Sequence, residues 1–158
     1  MALVHEKLYR SDDLAQVDFC EYIRSLGRHL LMSYGINSTA IDLDVSVRDV
    51  FLDINTSIPC GLIINELISN SLKHAFSGRE QGKIRVVLRS ERNGKFKLVV
   101  SDDGVGLPKG LDVTKTESLG LQLVTMLVEQ LQGTLNLDNN EGTSFEIVFA
   151  KLDYSVKH

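Results

Sequence analysis

No stretch of the 158 residues approaches the ~20 consecutive apolar residues that a bilayer-spanning helix needs. The opening MALVHEKLYR carries His5, Glu6, Lys7 and Arg10 where a secretory leader needs an unbroken apolar core. Cysteine is scarce: Cys20 and Cys60 lie far apart, match no metal or redox spacing, and read as two buried, reduced thiols. These absences point to the cytoplasm. Positive charge is not in excess either. Seventeen Lys and Arg against 21 Asp and Glu leave a formal charge of −4, so no global basic field holds nucleic acid or anionic lipid. Any polyanion must be held by a local site. Repeats, low-complexity tracts and interdomain linkers are also missing. What remains, 43% hydrophobic and 24% charged residues, is the composition of a globular domain long enough to bury a proper core.

Periodicity then orders the chain. Phe19, Ile23, Leu26, Leu30 and Leu31 recur at helical spacing between Leu14 and Ser33, with Asp18 as a plausible cap. AIDLDVSV and VFLDI alternate and predict two short strands around Arg48-Asp49. A long apolar helix follows, capped by Thr56 or Ser57, with Pro59 in its first turn and its end before Gly78. GKIRVVLRSE and KFKLVVSD predict a hairpin about Asn93-Gly94, and TLNLD and TSFEIVF a second one. Between the hairpins lie a glycine-containing loop from Gly104 to Leu119 and the helical run GLQLVTMLVEQL. Strands in hairpin pairs predict an α+β fold: a mixed, mostly antiparallel sheet with helices on one face.

Within the long helix, NELISNSLKHAF poses a problem. Asn65 and Asn70 are poor helix formers, yet Glu66, Asn70, Lys73 and His74 fall within about one third of the circumference. Ile64, Ile68, Leu72 and Ala75 lie opposite and should face the sheet. A merely solvated face predicts the same separation, so periodicity does not decide. Two glycine stretches mimic phosphate loops and fail. GREQGKI, from Gly78, has the wrong glycine spacing, lacks Ser or Thr after Lys83, and precedes a strand. GVGLPKG, from Gly104, has its third glycine misplaced and is interrupted by Pro108. SDDGVGLP is different in kind: a strand-end carboxylate, Asp102, followed by glycines that leave room for a flat group.

Taken in series, NELISNSLKHAF, DDGVGLP, SLGLQLV and EGTSF resemble the N-box, two glycine boxes and closing glycine-threonine motif of sensor histidine kinase catalytic domains. These belong to a superfamily shared with DNA gyrase and with heat-shock and mismatch-repair ATPases. The resemblance covers roughly residues 42–151. The opening 26 residues are similar to the junction that follows the second type of dimerisation and phosphoacceptor domain. Residues 1–13 are accordingly expected to be a remnant of that junction and 14–158 the catalytic domain. The fold implied is a two-layer α/β sandwich of the Bergerat type.

The resemblance also implies roles. Glu66 would be the catalytic base, and Asn70 would supply an amide oxygen to Mg²⁺ bound with ATP. Lys73 and His74 would lie near the phosphates; a C-terminal capping role is the alternative for His74. Asp102 would accept from the adenine amine, Gly104 and Gly106 would admit the base, and Thr143 would support the same pocket. Gly120 and Leu121 open a helix whose first N–H groups can meet phosphate. Three departures stand out. Asp103 replaces the commoner Asn and adds negative charge near the nucleotide; one glycine of the second box is absent at Ser118-Leu119-Gly120; the segment 108–119 is short. No acceptor motif surrounds His5, His29, His74 or His158. The resemblance therefore implies a kinase that phosphorylates a histidine outside this sequence. Its partners would be ATP, the dimerisation/phosphoacceptor domain and a response regulator, with no nucleic acid and a monomeric fragment. A serine kinase of anti-sigma type and a non-catalytic nucleotide-binding module are the alternatives.

Overall fold

The computed structural model describes residues 18–35, 40–48, 50, 52–75, 81–104, 119–138 and 142–150, with backbone alone at 74, 75 and 93. In chain order the elements are α1 (Phe19–Ser33), β1 (Ile41–Arg48), α2 (Ile54–Asn70), β2 (Gly82–Ser90), β3 (Lys95–Asp102), α3 (Leu119–Gln130), β4 (Thr134–Asp138) and β5 (Thr143–Ala150). The five strands form one sheet in the order β1-β2-β3-β5-β4. Only β1 and β2 run parallel; every other neighbouring pair is antiparallel. The α+β class and the mixed sheet agree with the sequence pattern.

Alternation decides which face is covered. Ile41 and Val45 on β1, Ile84, Val86 and Leu88 on β2, Leu98 and Val100 on β3, and Phe145, Ile147 and Phe149 on β5 are buried. Against them pack Ile23, Leu26 and Leu30 of α1, Ile63, Ile64, Leu67 and Ile68 of α2, and Val124 and Val128 of α3, in one continuous core. The opposite face is mostly polar, with Val87, Val99 and Val148 among the charges, and carries cross-strand ion pairs, Arg85 with Asp44 at 3.3 Å and Lys97 with Glu146 at 3.1 Å. Partly open to solvent, these pairs contribute little to stability.

Asp18 caps α1 as expected, accepting the Glu21 N–H at 3.2 Å. Local expectations are corrected at three points. The described residues of VFLDI form no strand: Val50 and Leu52 are buried, but Leu52 makes only an isolated bridge. Its apolar alternation reports burial in the core, and its last residue, Ile54, already opens α2. The cap of α2 is Asp53, whose carboxylate accepts the Thr56 N–H at 2.9 Å, whereas Thr56 and Ser57 are buried within the first turn. Finally, α2 does not continue as a regular helix past Asn70. It widens into a π-helical turn, Ser71–Ala75, so the inward position there is Ser71, and Leu72 is only partly buried.

Glycine governs the approach of α1 to α2. A β-carbon on Gly61 would collide with the Tyr22 hydroxyl and lie 2.9 Å from its ring carbons Cε2 and Cζ. That hydroxyl is buried without a hydrogen-bond partner, and burial pushes the Tyr22 phenol well above its ordinary pKa.

Candidate nucleotide site

The polar residues gather where the C-terminal end of α2, the end of β3, the start of β5 and the start of α3 converge. Asp102 and Thr143 occupy inward positions of the sheet, directly opposite one another across β3 and β5, and both are buried. Alternation assigns an apolar side chain to each place. Two buried polar groups there give the end of the core a polar lining. The Asp102 carboxylate accepts from Ser71 Oγ at 2.9 Å through Oδ2 and from the Gly104 N–H at 3.0 Å through Oδ1. Gly142, with φ +77°, lies so close to this strand end that a β-carbon would collide with the Asp102 carbonyl oxygen.

One residue before Ser71 stands Asn70, with Glu66 a turn earlier. A β-carbon on Gly120 would lie 2.9 Å from Glu66 Oε2, 3.6 Å from Asn70 Oδ1 and 3.7 Å from Asn70 Nδ2. The first turn of α3 therefore rests on the Glu66–Asn70 pair, and only a glycine leaves that carboxylate room. Leu121 is buried beside it as a wall, while Leu119, Leu123 and Met126 are exposed. Lys73 is exposed in the π turn. Contacts thus link Gly120 to Glu66 and Asn70, and Ser71, the next residue, to Asp102, which in turn meets Gly104 and Thr143.

Not every expected residue joins this cluster. Gly106 lies outside the described residues, and of His74 only the backbone is described, in the π turn. Asp103 turns away. Its carboxylate accepts the Lys83 N–H at 2.8 Å and its own N–H donates to the Lys83 carbonyl at 3.2 Å, extending the β2–β3 ladder. An open cavity of about 170 Å³ lined by Lys83, Arg85, Ser101, Asp102 and Asp103 is built mainly from outward-facing residues, away from the Glu66–Asn70 pair. His29, on α1, is exposed. Among the described residues no group of three or more His, Cys, Asp or Glu stands together as a metal site. Ser71 and Gly142 had no part in the sequence-based assignment, although both lie within its motifs.

The family described as "Histidine kinase-, DNA gyrase B-, and HSP90-like ATPase" matches residues 55–153, which hold every residue of this cluster. The chain belongs to this ATPase family. A second family, described as "Histidine kinase", matches residues 1–34. The sensor histidine kinase PdtaS of Mycobacterium tuberculosis is 34% identical over 155 residues, covering 94% of this chain and 29% of the relative. Blue-light-activated histidine kinase 2 of Erythrobacter litoralis is 32% identical over 98 residues, covering 62% and 28%. The chain spans less than a third of the length of either. Among solved structures, the histidine kinase domain of the Erythrobacter litoralis blue-light-activated kinase superposes with a TM-score of 0.79 at 25% identity, covering 93% of this chain and 69% of that one. The mycobacterial sensor histidine kinase MprB shares the fold, with a TM-score of 0.65 at 22% identity over 86% of this chain and 99% of that one. The match over residues 1–34 agrees with the expectation from the opening 26 residues, and the ATPase family and the Bergerat-type fold agree with those from the four motifs.

Proposed function

We propose that this chain is the catalytic part of a two-component sensor kinase that transfers the γ-phosphoryl group of ATP to a histidine outside the sequence. The observation that carries the reading is the Glu66–Asn70 pair lying against the first turn of α3 at Gly120. A carboxylate, a carboxamide and the positive end of a helix meet there within a few ångströms, which suits a metal-bound triphosphate.

The donor set fits Mg²⁺. Asn70 offers a neutral amide oxygen, and a cation that keeps several waters needs few protein ligands besides phosphate. When bound, the ion would neutralise charge on the phosphates. Glu66 then acts as the base that polarises the acceptor imidazole. Lys73 and His74 would meet the phosphates, Asp102 would accept from the adenine amine, and Thr143 would support it from β5. Gly104 and Gly106 admit the base, and Gly120 and Leu121 place N–H groups at the phosphate end. The exposed Leu119, Leu123 and Met126 suit the phosphoacceptor helices as a docking partner.

The domain boundary is best placed between residues 13 and 14. The family match over residues 1–34 favours a histidine kinase over a serine kinase of anti-sigma type, and α1 packs as part of the catalytic core. A response regulator would receive the phosphoryl group, in the cytoplasm; no described helix is long and apolar enough to cross a membrane. Titrating ATP with and without Mg²⁺ into the wild type, Asn70→Ala and Asp102→Ala tests the site. Asn70→Ala should remove the Mg²⁺-dependent part of the affinity, and Asp102→Ala should weaken binding with or without the ion. Binding unchanged in both variants would refute the assignment. Phosphohistidine formed only when the dimerisation segment is supplied in trans would support the reaction, and transfer to a partner serine would overturn it.

A further inference from the structure

Ser71 is a hydroxyl in a position that helical spacing gives to the core. It follows Leu67 by one turn, is buried, and points between α2 and the end of β3. Its Oγ lies 2.9 Å from Asp102 Oδ2 and 3.2 Å from the Leu67 carbonyl. A serine hydroxyl has one proton and serves one acceptor at a time. The carboxylate, the stronger acceptor, takes it. The other carboxylate oxygen is held by the Gly104 N–H at 3.0 Å. Each oxygen of Asp102 therefore has a fixed donor, one from α2 and one from the turn after β3. A carboxylate held at both oxygens cannot rotate, and each oxygen keeps a lone pair whose direction is set.

We infer that Ser71 is a positioning residue for recognition of the base: it aims the free lone pair of Asp102 at the 6-amino group of adenine. This rests on the nucleotide reading proposed above. Ser71 acts only through Asp102, so its hydroxyl matters for nucleotides that carry a 6-amino group and not for those that lack one. A residue needed only for packing would affect both alike.

The test compares ATP with purine riboside triphosphate, which has hydrogen in place of the 6-amino group. Both are titrated calorimetrically into the wild type, Ser71→Ala and Ser71→Thr, with urea unfolding of each protein as the control for fold. Ser71→Ala should weaken ATP roughly tenfold, the size of one hydrogen bond to a charged group, and leave the analogue within about twofold. Ser71→Thr, which keeps the hydroxyl, should restore most of the ATP affinity. Equal losses for both nucleotides, or no loss for ATP, would overturn the inference. A wild type that binds neither nucleotide would instead overturn the site reading on which it rests.

Discussion

Replacing Gly120 with alanine places a methyl group 2.9 Å from Glu66 Oε2, several tenths of an ångström inside ordinary contact. Something must move, and the structure says what. The crowded atom is the tip of a flexible, half-buried side chain, so the carboxylate swings aside while both helices hold. Asn70, 3.6 and 3.7 Å from the same methyl, is already at contact distance and stays. Two energies nearly cancel in the fold: crowding costs about 1 kcal/mol, and alanine in a helix is worth up to about 1 kcal/mol over glycine. Stability to urea should therefore change by less than about 1 kcal/mol. Nucleotide affinity should change by no more than about threefold, because Asn70, the ligand proposed for Mg²⁺, is undisturbed. A base displaced by a fraction of an ångström or more is another matter; transfer to the acceptor histidine should fall roughly a hundredfold. The assay is the initial rate of acid-labile phosphohistidine formation with the dimerisation segment supplied, set beside calorimetric ATP affinity and urea unfolding of the same protein. An undiminished rate would refute the role given to Glu66. A rate loss matched by an equal loss of ATP affinity would show that Gly120 acts through the nucleotide instead.

Other substitutions test the packing. Tyr22→Phe removes a buried hydroxyl without a partner and should stabilise the fold by about 1 kcal/mol; Gly61→Ala should destabilise it by about 2 kcal/mol, and by less in the Tyr22→Phe background, as a double-mutant cycle in urea will measure. At Gly142 an alanine meets backbone, which cannot swing aside. The positive φ and the collision with Asp102 together should cost roughly 3 kcal/mol by urea unfolding and abolish ATP binding. Burial pushes the Cys60 thiol far above its usual range, so the folded chain keeps a proton that the unfolded chain releases. Stability should be flat below about pH 8.5 and then fall with rising pH by up to ~1.4 kcal/mol per unit for this group. At neutral pH, alkylation of Cys60 should proceed no faster than global unfolding, whereas half-exposed Cys20 reacts sooner.

The fold was legible wherever burial follows a simple period. Four of the five strands sit in two hairpins whose alternation and turn residues can be read directly, and α1 and α3 follow their apolar stripes. VFLDI failed because alternation reports which side chains are covered and not which backbones are paired. The cap of α2 was misplaced because Thr56 and Ser57 are good capping residues in themselves, yet Asp53 lies where the chain first turns into the helix. Of the proposed site, Glu66, Asn70, Asp102 and Thr143 could be named from the sequence because their boxes occur in order. The hydroxyl of Ser71 was not. Its partner, Asp102, is 31 residues away, and only the crossing of α2 over β3 reveals that a small residue in an apolar row is a donor. The opposed directions of Asp102 and Asp103 follow from strand alternation, but the use of Asp103 in the β2–β3 ladder needed the register.

The position of α1 bears on how such kinases can be reassembled from parts. The match to the second family ends at residue 34, which would suggest a seam there. Yet Phe19, Tyr22, Ile23, Leu26, Leu30 and Leu31 are inside the core that carries the nucleotide site, and Tyr22 is keyed against Gly61 of α2. A recombination breakpoint after residue 34 would hand the ATPase domain a foreign helix against a surface shaped for this one. A cut that leaves this interior whole therefore falls before Asp18.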